Sequence, residues 1–495
     1  MKIKRFFLFL GIIILTLASC DSPTNSSSTI SGPPNVPPRL FWAANIETGK
    51  YYQLEAELLA ESSNCRVWVE KGSGVSSATA ASMAKAYEDD ILPKMMDVFV
   101  FKGSILLDGK VIARNTMELA DWMGDGDGKF CILLLDIKDG FKPGDSGYVG
   151  GYFWGGNLYG NDPSNPYLRY SNECDMIYID CYPGRPGSRN SNSTFAHEMQ
   201  HMLSFVCSHI TERYPYPLDT WIDEGLSESA GWVYLGSHDV DRWTWYNDDP
   251  LGTIQKGNNF FVWDNHNTEN SYAVLDDYAT TYLFFQWLRL QAGNTKIYSS
   301  IIMSDYYDQR AVTSAASRAG VPGANNWPTL LKTWLAANYI NAPSGPYGYR
   351  NDSSLKNIQA RTAPAGIKNI ALAPGEAVYS ITDSFTMPEN TQYINYAGLN
   401  KTEAALSDTA TFSGGALLTY NVNTNILDGT APGTTTGVAS DIDVSYDIGK
   451  SALNTGRQLS GPFVIGARDF LKRNGNGKSF DLELKKPYKG IFSIE

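Results

Sequence analysis

The stretch TFAHEMQH, residues 194–201, contains the pattern H-E-x-x-H, formed by His197, Glu198 and His201. Apolar residues recur around it at spacings of three and four, which is typical of a buried helix. On a helix the two histidines stand one turn apart on one face, where two neutral imidazoles can bind one metal ion. The plain alternative is a pair of histidines satisfied within the core. The chain has only five histidines, and chance gives this pattern in roughly one of several hundred such chains.

The residues after the motif narrow the class of metal site. A metzincin would continue with a glycine and a third histidine, but Ser204 and Cys207 stand in those places, so that class is excluded. His209 is out of phase with the helix face. Glu212 lies in a loop-like segment that contains proline and tyrosine. Neither residue is a good third ligand.

A second helix-like stretch, TWIDEGLSESAGW at residues 220–232, carries Glu224 and Glu228 on one face. Glu224 can be the third ligand. Glu228 can accept the outer N–H of a ligand histidine, as carboxylates around metal sites do. The alternative is the solvated acidic face of an amphipathic helix. Trp221 and Trp232, among other apolar neighbours, argue against full solvation.

The combination of H-E-x-x-H with W-x-x-E-G-x-x-E resembles the gluzincin metallopeptidases, in which the glutamate before the glycine is the third zinc ligand. The segments CDMIYIDCYPG, TFAHEMQHMLSF, WIDEGLSESA and YATTYLFFQWLRLQAG are similar in order and spacing to one branch, the hyicolysin-type neutral metallopeptidases. The similarity covers roughly residues 75–340. It implies a thermolysin-like zincin domain of the α+β class, with a mixed sheet, an active-site helix and then a helical lobe.

These residues predict a zinc-dependent endopeptidase. Zinc held by His197, His201 and Glu224 keeps one position open for water, and Glu198 is the expected general base. The competing hypothesis is a non-catalytic cell-envelope lipoprotein, an adhesin or scaffold that retains the zincin fold. A third is hydrolysis of a bond other than a peptide. The complete set of ligands and base favours the endopeptidase.

Gluzincins commonly supply a tyrosine or histidine that assists the metal at the oxyanion. Tyr278, at the start of the helix-like segment DDYATTYLFFQWLRLQ, is the expected residue, since a phenol near a helix end can project into a cleft. Tyr282 lies among Leu283 and other apolar residues, so packing is its expected role. His266 is the histidine alternative and His238 a weaker one. Tyr278 can also simply pack.

The amino-terminal residues predict export and a lipid anchor. A basic start and an apolar run precede LASC, which ends at Cys20 and resembles a bacterial lipobox. We therefore expect a signal peptide at 1–19, a lipidated Cys20, and a Ser/Pro-rich tether over 20–39. The protein would be held at a bacterial cell-envelope membrane, at the outer membrane or surface or at the periplasmic face of the inner membrane. An ordinary signal peptide with a stray cysteine is the alternative.

Composition and patterning divide the remaining chain. We predict a small β unit at 40–74, the catalytic domain at 75–345, and a β-sandwich-like domain at 357–495, where short alternating runs replace helical periodicity. The net charge of −12 falls to −15 once the three basic residues of 1–19 are removed. Nucleic acid is therefore an unlikely partner, and a protein or peptide substrate is expected.

Three lesser signals are ambiguous. GDGDGKF at 124–130 hints at calcium through Asp125 and Asp127, but a turn leading into a strand is the better interpretation. GYVGGYFWGGNLYG is either the edge strand that binds substrate backbone or a structural loop. Five cysteines follow Cys20, so at least one is unpaired, and most are expected to be buried thiols.

Overall fold

The computed structural model describes residues 36–107, 109–143, 148–166, 168–213, 216–257, 274–363, 370–372, 374–408, 411–424, 434–438 and 442–445. The predicted signal peptide, Cys20, most of the tether, His266 and residues 446–495 lie outside them. Within the described residues, no helix is both long and apolar enough to cross a membrane.

The fold combines α-helices and β-strands. Its principal strands before residue 181 are β1 (Arg39–Asn45), β2 (Lys50–Glu61), β3 (Cys65–Glu70), β4 (Lys102–Leu107), β5 (Lys110–Asn115), β6 (Phe130–Leu135), β7 (Gly151–Phe153) and β8 (Met176–Asp180). The helices are α1 (Ser77–Ala86), α2 (Leu92–Val98), α3 (Thr116–Met123), α4 (Arg189–Ile210), α5 (Thr220–Leu235), α6 (Val240–Asp248), α7 (Val274–Ala292), α8 (Lys296–Ile302), α9 (Gln309–Arg318) and α10 (Trp327–Ile340). The α+β class is therefore confirmed.

Six strands form one sheet in the order β1-β2-β3-β6-β8-β7. The central strands β3, β6 and β8 are parallel, whereas β1, β2 and β7 pair antiparallel with their neighbours. The strands β1, β2 and β3 of the predicted small β unit therefore belong to the same sheet as β6, β7 and β8. The sheet crosses the predicted boundary after residue 74, and the domain boundaries stay predictions.

The central strands β6 and β8 are buried on both faces, and they are apolar at nearly every position. On one face, Ile132 and Ile177 pack in the core that contains Phe195 and Met199 of α4. On the other, Leu133 and its neighbours form a second cluster. The apolar spacing around the H-E-x-x-H motif therefore serves to fix α4 against the sheet.

The helical region formed by α1 and α2 has a local irregularity. A π-helical turn at Tyr87–Ile91 separates α1 from α2, and Pro93 follows it in the first turn of α2. Proline lacks the N–H that a continuous helix needs, so the backbone hydrogen bonding changes at this point. The chain continues as helix beyond Pro93 rather than ending there.

The last described strands are β9 (Ile370–Ala371), β10 (Ala377–Thr386), β11 (Ile394–Asn400), β12 (Ala405–Ser407), β13 (Thr411–Asn421), β14 (Thr434–Val438) and β15 (Ile442–Ser445). Four of them form a sheet ordered β10-β13-β11-β12. This sheet packs on the helical region, where the Tyr379 hydroxyl donates to the Leu335 carbonyl oxygen at 2.9 Å. Some of its apolar residues, among them Tyr379 and Leu418, belong to the same core as α4 and α10, whereas others such as Leu417 belong to a separate cluster.

The cysteines of the described residues are all free thiols. Four are buried and Cys181 is partly exposed, as expected for small apolar side chains.

Candidate active site

The H-E-x-x-H residues lie in the middle of α4. Ser188 caps this helix by accepting a hydrogen bond from the Ser191 N–H at 3.2 Å. His197 and His201 are both buried, and their ring centroids lie 4.8 Å apart. The helix thus presents two imidazoles on one face, one turn apart, as the spacing predicts.

α5 brings Glu224 to this face. Its Oε2 atom lies 3.4 Å from His197 Nε2 and 3.6 Å from His201 Nε2. Gly225 explains how α5 sits so closely on α7, since a Cβ at this position would overlap the Phe285 ring and lie 2.8 Å from Thr281 Oγ1. The glycine after Glu224 therefore sets the depth of the helix that carries the carboxylate.

The three converging atoms fit a zinc ion. His197 Nε2, His201 Nε2 and Glu224 Oε2 are buried and make no conventional hydrogen bond within the described residues. The ligand atoms of these residues all lie within 4.8 Å of one another. Buried polar atoms without partners are costly. Two imidazole nitrogens with one carboxylate oxygen are a donor set that zinc accepts, with a further position open to water.

The opposite ring nitrogens face two other carboxylates. His201 Nδ1 lies 2.8 Å from Asp223 Oδ2, within hydrogen-bond distance. His197 Nδ1 lies 3.6 Å from Glu228 Oε1. Arg242 in turn donates to both Glu228 oxygens, at 2.7 and 2.9 Å. Each histidine therefore has a carboxylate on its outer side.

Sequence reasoning missed Asp223 and Arg242. Asp223 immediately precedes Glu224, and an i, i+4 pattern on α5 does not select it. Its only sequence signal is a second carboxylate beside the ligand. Arg242 comes from α6, and no spacing connects it with Glu228.

The ionisation of the site follows from burial and neighbouring charge. Burial would raise the pKa of Glu224, but His201 and His197 outweigh it and lower that pKa to about 2. Burial opposes protonation of His201, yet the carboxylates of Asp223 and Glu224 raise its pKa. Burial raises the pKa of Glu198 to about 7, although His197 and His201 counteract it. Glu224 is thus an ionised carboxylate, whereas Glu198 is suited to take up a proton near neutral pH.

The strand β7 lies at one end of the sheet and directly against Glu198. A Cβ at Gly151 would lie 2.9 Å from the Tyr178 carbonyl oxygen, 3.1 Å from Thr194 Cγ2 and 3.2 Å from Glu198 Cγ. Only a glycine therefore lets this backbone approach α4 so closely. The segment is an edge strand at Gly151–Phe153, followed by a short 3₁₀ turn at Gly155–Leu158.

A cleft of about 320 Å³ opens beside His197. Its lining includes Tyr148, Thr194, His197, Glu228 and Arg242. Tyr278 is not among the lining residues. It lies buried in α7, with its ring centroid 6.4 Å from that of His197 and the Arg242 guanidinium 5.0 Å over its ring.

The remaining candidates lie elsewhere. His238 Nδ1 lies 2.7 Å from the Tyr282 hydroxyl, and His238 Nε2 lies 3.1 Å from Asp352 Oδ2. These contacts indicate a structural role for His238 and Tyr282. His266 lies outside the described residues. The structure therefore brings His197, Glu198, His201 and Glu224 together, with Glu228 and Tyr278 close by.

Comparison with known proteins agrees with this geometry. No protein-family model matches the chain. Over 369 residues the chain is 26% identical to the neutral metalloprotease ShpI of Staphylococcus hyicus, in an alignment that covers 72% of this chain and 75% of that protein. The similarity and the His-His-Glu group together support a metallopeptidase.

Proposed function

We propose that this chain is a zinc-dependent endopeptidase of the gluzincin type, near the hyicolysin-type neutral metallopeptidases. The observation that carries the proposal is the convergence of three buried atoms that make no conventional hydrogen bond to the described part of the chain, His197 Nε2, His201 Nε2 and Glu224 Oε2. Buried polar atoms without partners are rare in folded proteins, and this donor set is one that binds zinc. The similarity to a neutral metalloprotease points to the same chemistry.

His197, His201 and Glu224 would hold the zinc. Bound there, the ion would acidify a water molecule and polarise the carbonyl of the scissile peptide. The carboxylates of Asp223 and Glu228 would orient the two imidazoles by facing their Nδ1 atoms, so that each Nε2 lone pair points inward.

Glu198 is the proposed general base. Its carboxylate takes the proton of the attacking water and delivers it to the departing amine nitrogen. A pKa of about 7, raised by burial, suits a group that must accept and then release a proton. The neutral form would be reached without a large energetic cost.

The proposed substrate is a protein or peptide, and not a nucleic acid. The cleft beside His197 reaches the edge of the sheet near Gly150. An extended peptide can add to such an edge through backbone hydrogen bonds, with side chains directed alternately into and out of the cleft. Tyr278 is proposed to assist at the oxyanion.

We further propose a thermolysin-like zincin organisation with a β-sandwich-like C-terminal domain. The mixed sheet before α4 and the helices after it support the first part. The sheet β10-β13-β11-β12 supports the second. The catalytic part would be exported and held at the cell envelope through lipid on Cys20, so Cys20→Ser should release it from the membrane fraction.

The decisive experiment compares Glu198→Gln with the wild type. The variant should keep about one zinc per chain and its thermal stability but lose hydrolysis of a peptide library, because only the proton acceptor is removed. Glu57→Gln, an exposed position on β2, is the matched control and should stay active. Glu224→Ala should instead lose zinc. A zinc-loaded wild type that cleaves no peptide would favour the scaffold alternative, and a metal-free active enzyme would exclude zinc.

A further inference from the structure

A second acidic group lies away from the proposed zinc site. One carboxylate oxygen from each of Asp121, Asp125 and Asp175 lies within 4.8 Å of the other two. Asp121 is near the end of α3, and Asp125 lies in the turn that follows. Asp175 directly precedes β8. Residues far apart in the chain therefore meet where the 124–129 turn contacts the start of β8.

Asp175 is the informative member of this cluster. It is only 1% exposed, and neither of its carboxylate oxygens accepts a hydrogen bond within the described residues. Burial raises its pKa, and the negative charges of Asp125 and Asp121 raise it further. A buried carboxylate that faces two others needs either a proton or a cation.

No basic side chain of the described residues forms an ion pair with this cluster. The nearby charge of Arg39 opposes the rise that burial causes in the pKa of Asp125, but its guanidinium donates to the Asn172 carbonyl oxygen and Cys174 Sγ. Asp127 is not a member of this group; it pairs with Arg66 and accepts from the Lys129 N–H at 2.8 Å. Within the described residues, the side-chain hydrogen bonds of Arg39, Arg66 and Lys129 therefore go to groups other than these three carboxylates.

Backbone N–H groups hold two of the three carboxylates in place. The Gly128 N–H donates to Asp121 Oδ1 at 2.6 Å, and the Asp127 N–H donates to Asp125 Oδ1 at 3.3 Å. A Cβ at Gly124 would lie 2.6 Å from the Asp175 backbone nitrogen, so the turn rests directly on β8. The cluster is a feature of a packed junction rather than of a loose surface loop.

We propose that Asp121, Asp125 and Asp175 bind a divalent cation of the calcium type. The donors are oxygens alone, without a histidine or cysteine, which favours a hard cation over zinc. Calcium accepts carboxylates in irregular geometry together with backbone carbonyls and water, as a turn can supply. The ion would join the end of α3, the 124–129 turn and β8. Ile179 of β8 pairs with Gly151, which lies beside Glu198. From the rise per residue of a strand, Asp175 is about 13 Å from Ile179 along the chain.

The test uses purified full-length protein in calcium-free buffer prepared without a chelator, so that zinc is retained. Millimolar calcium should raise the wild-type Tm by about 3 °C or more. Equilibrium dialysis with radioactive calcium should show a site that is lost in Asp175→Asn and Asp125→Asn. Asp127→Asn removes the same charge from the same turn, outside the cluster, and should keep both effects.

Calcium should also reverse which of the two proteins, the wild type or Asp175→Asn, is the more stable. Without calcium, Asp175→Asn should be at least as stable as the wild type, because it removes an uncompensated buried carboxylate. With calcium, the wild type should be the more stable protein. Asp125→Asn, at an exposed position, keeps the test decisive if Asp175→Asn fails to fold. A wild type that binds no calcium at this site, or cluster variants that retain it, would overturn the proposal.

Discussion

His201 Nδ1 lies 2.8 Å from Oδ2 of Asp223, the residue immediately before Glu224. One helical segment thus supplies both a proposed metal ligand and the carboxylate that orients another ligand. A hydrogen bond from the Nδ1–H to Asp223 leaves the lone pair of Nε2 free for a metal ion.

Asp223→Asn should therefore weaken zinc binding without removing a ligand. The neutral amide is a poorer acceptor for the imidazole N–H, so we expect zinc affinity to fall about tenfold or more. Competition with a fluorescent zinc chelator measures this affinity. Asp241→Asn, an acidic residue that lines the cleft without contacting either histidine, is the control. Equal affinities for the two variants would remove Asp223 from the site.

Arg242 should stabilise the fold by neutralising Glu228. The side chains of Arg242 and Glu228 are 17% and 6% exposed and form two hydrogen bonds. Arg242→Ala removes the permanent cation that neutralises this buried carboxylate and should reduce the free energy of unfolding by about 3 kcal/mol. Adding Glu228→Gln should recover part of that loss, which urea unfolding of the single and double variants can measure. Strictly additive losses would show that the pair is not coupled.

Tyr278→Phe should lower kcat by about 100-fold with little change in KM or zinc content, if the phenol assists at the oxyanion. Tyr282→Phe, one turn further along α7, removes a hydroxyl that faces His238 and should leave kcat near the wild-type value. Steady-state kinetics on a fluorogenic peptide separates the two. A Tyr278→Phe enzyme with unchanged kcat would move the role to another residue, His266 among them.

Gly151→Ala should reduce kcat/KM by about tenfold or more, because the added methyl group pushes β7 away from the Tyr178 carbonyl and from Glu198. Gly160→Ala is the matched change at a position where the nearest atom is 3.8 Å from the new Cβ. Zinc content should be normal in both variants. If Gly151→Ala retains full activity, the fit of β7 against α4 does not control catalysis.

His209 should make the fold sensitive to acid. Burial lowers its pKa to about 4, from an ordinary value near 6.5. The folded state thus favours the neutral ring, so its contribution is complete above about pH 6.5 and is lost as the pH falls toward 4. Between these pH values, the stability difference between the wild type and His209→Gln should shrink by at most roughly 3 kcal/mol. Urea unfolding at each pH measures it, and a constant difference would contradict the shift.

The spacing of apolar residues within short segments predicted those helices and strands whose buried face is set by the segment itself. The apolar spacing around His197 predicted α4, and the turn at 124–130 predicted the strand that follows it, β6. An alternating pattern likewise predicted strands after residue 357. These features depend on which face of a short segment is buried.

Features that depend on distant residues could not be predicted in this way. The parallel pairing of β3 with β6 joins segments separated by three helices and a hairpin. Arg242 reaches Glu228 only because α6 folds back on α5. Asp175 meets Asp125 only because β8 lies beside β6, whereas the sequence pattern GDGDGKF associates Asp125 with its near neighbour Asp127.

The contact between Tyr379 and Leu335 bears on how the protein unfolds. Residues of β10, β11 and β13 share one apolar core with α4 and α10. A chain cut near residue 357 would expose that core to solvent, although the cut falls outside the proposed catalytic residues. Proteolytic cleavage there would therefore lower the folding stability of the protein without removing a proposed catalytic residue. The two regions should unfold thermally as one cooperative unit.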